Sequence, residues 1–170
     1  MERTTINVEK TEMSQVKMNS CAIVKQRPCK IIDIKHSKTG KHGSMKVRIT
    51  AVDCINKTKY EHLAPGHTPI YGFKLDREEY QVMDIHVDDE KYVGIECLCK
   101  DASSNTFNID KGLQSTIDSI DKLKHILDTS EKGAYAVIIH APIPKPNTTE
   151  INNEDLTYEY AIDSYGEQQE

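Results

Sequence analysis

Val47, Ile49 and Ala51 alternate with Lys46, Arg48 and Thr50. That two-residue period predicts a strand with one buried face and one wet, basic face. Shorter apolar pieces at Ala22-Ile23-Val24, Cys29 to Ile34 and Tyr60 to Leu63 read as further strands, with Met45 to Val52 between the last two. Turn-forming stretches separate them: Gln26-Arg27-Pro28, a polar run from Ser37 to Gly43, and Asn56-Lys57-Thr58. Several short strands within so little chain predict a small, strongly bent barrel. Pro65-Gly66-His67-Thr68-Pro69 breaks the pattern and reads as the start of a linker.

A second block follows. Tyr80 to Val87 and Tyr92 to Cys99 alternate, with Val93, Ile95, Cys97 and Cys99 on one face and Asp88-Asp89-Glu90 as the turn between them. A faint strand falls at Thr106 to Ile109. Leu113, Ile117, Ile120, Leu123 and Leu127 recur every three or four residues, the spacing of an amphipathic helix. Ala134 to His140 is then a strongly apolar strand entered through Gly133. Strands broken by one helix fit the five-stranded Greek-key barrel of the oligonucleotide/oligosaccharide-binding (OB) architecture. The fold class is therefore mostly β, as two small barrels. Domain expectations are a flexible tail over 1–15, a first barrel over 16–73, the OB domain over 74–144 and a disordered acidic tail over 145–170.

The formal net charge of −5 conceals an asymmetry. Residues 1–70 carry 13 Lys and Arg against 6 Asp and Glu, a net +7; residues 71–170 carry 9 against 21, a net −12. A basic front half suits a polyanionic partner, and the acidic rear argues against wrapping by nucleic acid along the whole chain. No apolar run approaches the roughly 20 residues needed to span a bilayer, and the polar start lacks a signal peptide, so a cytoplasmic location and no membrane partner are expected. The five cysteines form no disulfide framework, and Cys97-x-Cys99 is too tightly spaced for a zinc knuckle; buried free thiols are expected.

The polar run between the second and third strands concentrates the chemistry. Ser37-Lys38-Thr39-Gly40-Lys41-His42-Gly43 holds two glycines and one central lysine, and Lys35, His36, Lys38, Lys41, His42 and Lys46 gather there with no acid among them. A phosphate-binding P-loop would need a glycine where Lys35 stands and a Ser or Thr where His42 stands, so that motif fails. A surface turn with incidental charge is the duller reading. Mutual repulsion of these cations costs the free protein some stability, which an anionic partner such as an RNA backbone would offset.

Arg27-Pro28-Cys29-Lys30-Ile31-Ile32-Asp33, followed by the Ser37 to Gly43 run and Lys46-Val47, resembles the eukaryotic and archaeal translation factor 5A family. A weaker resemblance continues through Asp53, Lys59-Tyr60-Glu61 and Pro65 into Tyr80 to Ile85, covering roughly residues 20–141. The resemblance implies an SH3-like N-terminal barrel followed by an OB-fold domain. It implies binding to the ribosome, against rRNA and beside peptidyl-tRNA, and conversion of Lys41 to hypusine by deoxyhypusine synthase, using spermidine, and then deoxyhypusine hydroxylase. No other cofactor and no metal are expected. The modified side chain would position peptidyl-tRNA at stalled sites such as proline runs and would assist termination, with no bond-making chemistry of its own. Lys35, Lys38, Thr39, Gly40, His42, Gly43 and Lys46 are the residues expected to contact RNA around it. Where members carry a second histidine after the His-Gly pair, this chain has Ser44; it has Gln26 and Ser20 where glycines are usual.

Two rivals remain: an RNA-binding SH3/OB module or specialised paralogue that is never modified, and an enzyme using Lys41 as a Schiff base, which would need that lysine desolvated in a pocket. His62, His67, His86, His125 and His140 are scattered without the i, i+4 spacing of a helical metal site, and are expected to be structural. Tyr80, Tyr92 and Phe107 are candidates for stacking bases or, more commonly, for core.

Overall fold

The computed structural model describes residues 6–38, 45–87 and 89–169. The chain forms two compact units. One comprises Thr5–Leu75 together with Ala141–Tyr158; the other contains Asp76–His140 and Glu159–Glu170.

The first unit is a six-stranded antiparallel sheet of β1 (Glu9–Glu12), β2 (Cys21–Val24), β3 (Arg27–Ser37), β4 (Lys46–Asp53), β5 (Lys59–Pro65) and β6 (Pro69–Phe73), in the order β1-β6-β2-β3-β4-β5. Thr50, expected on the wet face of β4, is buried at 8%, while Lys46 and Arg48 are exposed and Val47, Ile49 and Ala51 are fully buried. They pack with Met13, Ala22, Val24, Cys29, Ile31, Ala64 and Ile70. A bulge at Ile31/Asp33 takes Ile32 out of the ladder, so it stands 39% exposed while Ile31 is buried. One extra residue is what lets a strand bend sharply without losing its inner face. The turn from β2 to β3 has positive φ at both Lys25 (50°) and Gln26 (68°). A two-residue hairpin turn of this kind favours Gly or Asn, so Gln26 carries backbone strain that glycine would relieve.

Asp53 holds the far end of this sheet. Its carboxylate is wholly buried. It accepts from Arg27 Nε at 2.6 Å and from the backbone N–H groups of Ile55 (2.8 Å) and Asn56 (3.1 Å). It thus closes the turn from β4 to β5 and ties it to the start of β3. Asp53→Ala strands the Arg27 guanidinium and two backbone donors at once. The expected loss is about 3 kcal/mol, read as a lowered urea midpoint. Asp53→Asn, which keeps an acceptor for the backbone, should lose less.

The expected linker at residues 65–69 is a turn, closed by Thr68 N–H donating to Pro65 O at 3.0 Å, and Pro69–Phe73 is a strand paired with both β1 and β2. The expected flexible tail over 1–15 is also corrected for residues 6–15. Ile6, Val8 and Met13 are buried, β1 pairs with β6, and Met13 and Ser14 donate backbone hydrogen bonds to Thr68 and Gly66. The buried residues stand singly among Glu9, Lys10 and Glu12, and β1 is an edge strand, where exposed charge is the norm. Such a segment shows no period.

The second unit is a closed barrel of β7 (Asp76–His86), β8 (Tyr92–Leu98), β9 (Ser104–Asp110), β10 (Ala134–Ile143) and β11 (Thr157–Glu167), with helix α1 (Gln114–Thr129) between β9 and β10. Around the barrel the order is β7-β8-β9-β11-β10 and back to β7. β9 and β11 run parallel, with Tyr160 opposite Ile109, while β7–β8, β8–β9 and β7–β10 are antiparallel. This is the OB connectivity. Val82, Val93, Ile95, Cys97, Phe107, Ile109, Ala134, Ala136 and Ile138 fill the interior, and Ile120 and Leu123 of α1 pack on it. Ile117, expected on the buried stripe, is 36% exposed; Ile120, Leu123, Ile126 and Leu127 further along the helix make the contact with the barrel. Gly133, at φ +85°, supplies the left-handed step from helix into β10 that a side chain would disfavour.

The expected disordered tail over 145–170 is overturned by the same barrel. β11 is its fifth strand, and Tyr160, Ile162 and Tyr165 pack against its core. Ile151 and Leu156 just before it, and Tyr158 at its start, pack with Ile6, Val8, Ile23 and Phe73 in the first unit. Asn153 Oδ1 accepts from Val8 N–H at 2.7 Å, and Tyr158 Oη accepts from Ile6 N–H at 3.1 Å. The segment is acidic and poor in aliphatics, so a hydropathy reading sees no strand; its apolar surface is carried by tyrosines, which are strong strand formers.

Candidate functional site: the basic hairpin of the first unit

β3 and β4 form the longest hairpin of the first unit. Their ladder runs out to Ser37 opposite Lys46. Along the wet face, Lys35 stands directly across from Arg48, and Lys46 lies one step further out on β4. All three are exposed. Cross-strand cations of this kind repel and lower sheet stability. Among the described residues no carboxylate lies within ion-pair distance of Lys35, Lys46 or Arg48. The opposite face of the same stem is closed by Val47 and Ile49, both fully buried. The result is a stem whose outer face groups Lys35, Lys46 and Arg48, with Asp33 one step inward on the same face. A cluster of this kind suits a polyanion.

Of the expected contact residues, Lys35, Lys38 and Lys46 are exposed on or beside this stem. Thr39, Gly40, Lys41, His42 and Gly43 lie outside the described residues, as does Ser44. Arg48 was not among the expected set, yet the register brings it to Lys35. The two-residue spacing from Lys46 to Arg48 on a strand was the signal for it.

The aromatic candidates divide. Phe107 is 2% exposed, with its ring centroid 5.0 Å from Tyr80, 5.3 Å from His140 and 4.9 Å from Tyr160. Tyr80 Oη and His140 Nε2 are hydrogen-bonded at 3.2 Å. These rings serve the barrel core, with Phe107 and His140 buried and Tyr80 and Tyr160 partly so. Tyr92, 37% exposed with the Lys91 ammonium 5.1 Å from its ring centre, keeps an accessible surface. All five cysteines are free thiols, and Cys29, Cys54 and Cys97 are buried. Burial pushes the Cys29 and Cys97 thiols up to about 12, so neither is a thiolate at neutral pH.

His140 has a consequence of its own. Burial lowers its pKa, against the opposing pull of Asp76 and Glu78. The unfolded chain therefore binds a proton more readily than the folded one. Stability is present above the usual histidine pKa of about 6.5 and falls as pH drops below it. Melting of the second unit is expected to move down between pH 7 and pH 5. His140→Gln, which does not titrate, should flatten that slope, and an unchanged slope would exclude His140 as its source.

A six-stranded antiparallel sheet with a cationic hairpin, followed by a closed OB barrel, defines a two-domain protein of the kind that carries a basic arm on an SH3-like domain. The comparisons agree. Residues 7–68 match the family described as translation initiation factor 5A-like, N-terminal. Eukaryotic translation initiation factor 5A of Dictyostelium discoideum is 43% identical over 74 residues, 44% of this chain and 46% of that protein. Factor 5A-1 of Schizosaccharomyces pombe is 39% identical over 84 residues, 49% and 52% of the two chains. The chain thus spans about half the length of the curated relatives it matches. Among solved structures, a translation initiation factor eIF-5A family protein from Naegleria fowleri superposes with a TM-score of 0.67 at 27% identity, covering 79% of this chain and 91% of that one. Factor 5A from Methanococcus jannaschii gives a TM-score of 0.56 over 95% and 97%; at 22% identity it speaks for the fold alone. Over residues 7–68 the chain is thus similar to the N-terminal domain of translation factor 5A. Its two domains are SH3-like and OB.

Proposed function

We propose that this protein is a translation factor that binds the ribosome through its basic hairpin and carries hypusine on Lys41. Deoxyhypusine synthase would transfer the aminobutyl group of spermidine to the Lys41 amine, and deoxyhypusine hydroxylase would complete the residue. A plain lysine offers one cation on a flexible stem. The lengthened side chain adds a second amine, so it can engage more than one phosphate or base and reach beyond the loop. It would hold the acceptor end of peptidyl-tRNA in a reactive geometry at stalled sites such as proline runs and during termination. Its contribution is orientation, with bond formation left to the ribosome. The protein is then no enzyme, and its working place is the cytoplasm. Among the described residues no helix is long and apolar enough to cross a membrane.

One observation supports this reading most directly: Lys35, Lys46 and Arg48 line one face of the β3–β4 stem with no carboxylate among the described residues paired to them. Phosphates are the partner that removes their repulsion. Lys38, His42 and the Gly40 and Gly43 backbone would extend the same contact beside Lys41. Peptide mass spectrometry of protein from its native cell tests the proposal. Hypusine at Lys41 is expected. Only unmodified lysine there would favour an RNA-binding module that never receives the modification, a rival that Ser44 in place of the family's histidine keeps in view. Binding to ribosomes should also weaken steeply with rising salt, as release of condensed counterions requires.

A further inference from the structure

Asp84 and His86 on β7 and Glu96 on β8 meet on the outer face of the OB barrel, far in sequence from the hairpin. A bulge between Val82 and Asp84 puts them there. Val82 faces the core at 3% exposure, and the extra residue, Met83, is 50% exposed. After the bulge Ile85 pairs with Ile95 on the inner side, while Asp84 pairs with Glu96 and His86 with Gly94 on the outer side. Without that inserted residue, strict alternation would turn Asp84 and His86 inward.

The pairing is unfavourable for apoprotein alone. Two carboxylates stand directly opposite each other, an arrangement that costs stability unless a cation lies between them. His86 reaches into that space. Its Nδ1 is 4.0 Å from Asp84 Oδ2 and its Nε2 is 4.0 Å from Glu96 Oε2. One ligand atom from each of the three residues lies within 4.8 Å of the other two. The imidazole has no side chain across from it, because its partner is Gly94. A Cβ on Gly94 would come within 2.8 Å of Thr106 Cγ2 and 3.6 Å of His86 Cβ.

We propose that Asp84, His86 and Glu96 form a divalent transition-metal site, for zinc or a cation of similar preference. One imidazole nitrogen and two carboxylates suit zinc, nickel or cobalt better than calcium or magnesium, which favour oxygen alone, or copper(I), which favours sulfur. Metal–ligand bonds of about 2.0–2.2 Å set ligand atoms about 3–4 Å apart, so closure asks for movements near 1 Å. The three side chains, between 33% and 63% exposed, are free to make them. Two carboxylates balance the charge of the ion. Three protein ligands leave at least one position open to water or to an anionic oxygen. The helical histidine spacings sought in sequence do not detect this set, because it joins an i, i+2 pair on one strand to a third residue on the next.

The test uses the full chain, stripped with chelator, titrated with zinc chloride alone and nickel chloride alone by calorimetry, with the His86 ring followed by NMR. One equivalent should bind with a Kd near or below about 10 μM, and the His86 ring resonances should shift with it. His86→Ala and Glu96→Gln should each weaken that binding by about tenfold or more. His125→Ala, at an exposed histidine on α1, should leave it intact. Since His86 is at the surface, the metal-free melting curve of His86→Ala should match the parent. Unchanged affinity in His86→Ala would overturn the site, placing any bound ion on other histidines. So would a His86 ring that responds to pH but not to metal, since a protonated imidazole would then be the only cation between the carboxylates.

Discussion

Lys41→Arg is expected to leave the fold and melting curve unchanged and to reduce rescue of proline-run stalling to the level without factor. Arginine keeps the positive charge, so the variant separates charge from chemistry. The synthase must join a carbon chain to a primary amine that can shed its proton. A guanidinium stays protonated throughout the physiological range and is no nucleophile. The arm therefore remains short and keeps one cation. The stem would still contribute its phosphate contacts through Lys35, Lys46 and Arg48, so ribosome binding should weaken less than activity does. The measurement is an in vitro translation system reading a polyproline reporter, with ribosome sedimentation alongside. Equal activity of the variant and its parent would refute the proposal. A parallel loss of activity and binding would assign the modified arm to anchoring the factor on the ribosome rather than to orienting the tRNA.

Removal of residues 157–170 should unfold the second unit altogether. β11 sits between β9 and β10, so its loss opens two unpaired edges in a barrel that otherwise has none. It also takes Tyr160, Ile162 and Tyr165 from the core and uncovers one side of Phe107. Each large apolar side chain so lost is worth about 1.5–3 kcal/mol. Together they approach the whole of the 5–15 kcal/mol that an ordinary domain possesses. The amide NMR spectrum should keep dispersed signals from the first unit while those from Asp76–His140 collapse. Dispersed signals throughout would show that four strands suffice and that β11 merely lies against them.

The sequence made most of this architecture legible where a strand has one wet face. β4, β8 and the central turns of α1 announce themselves through alternation or helical spacing, because burial on one side and solvent on the other write a period into the chain. The hairpin was legible for a different reason: the Ser37 to Gly43 run, together with Arg27-Pro28-Cys29-Lys30, is specific enough to carry a resemblance. Three elements left no such mark. β1 is a charged edge whose buried residues, Ile6, Val8 and Met13, stand alone. β6 begins at a proline and follows a glycine turn, so it looked like linker. β11 presents its apolar surface as tyrosine rings among acids. Each depends on partners distant in sequence, and no local pattern records them. The cluster of Asp84, His86 and Glu96 was hidden in the same way, by a bulge that only pairing reveals.

The path of the last thirty or so residues bears on how this protein is made. After β10 the chain contributes Ile151 and Leu156 to the first unit, and then supplies β11, whose Tyr158 still packs with that unit. Neither unit can be finished before residues 141–167 have been made. Synthesis runs at about 5–20 residues per second, so both wait a few seconds beyond His140 for that stretch. A premature stop codon anywhere ahead of Thr157 would release a product with one unit short of apolar cover and the other unclosed. Cellular proteases would meet it as debris, and a prematurely ended copy could not linger as a half-working competitor.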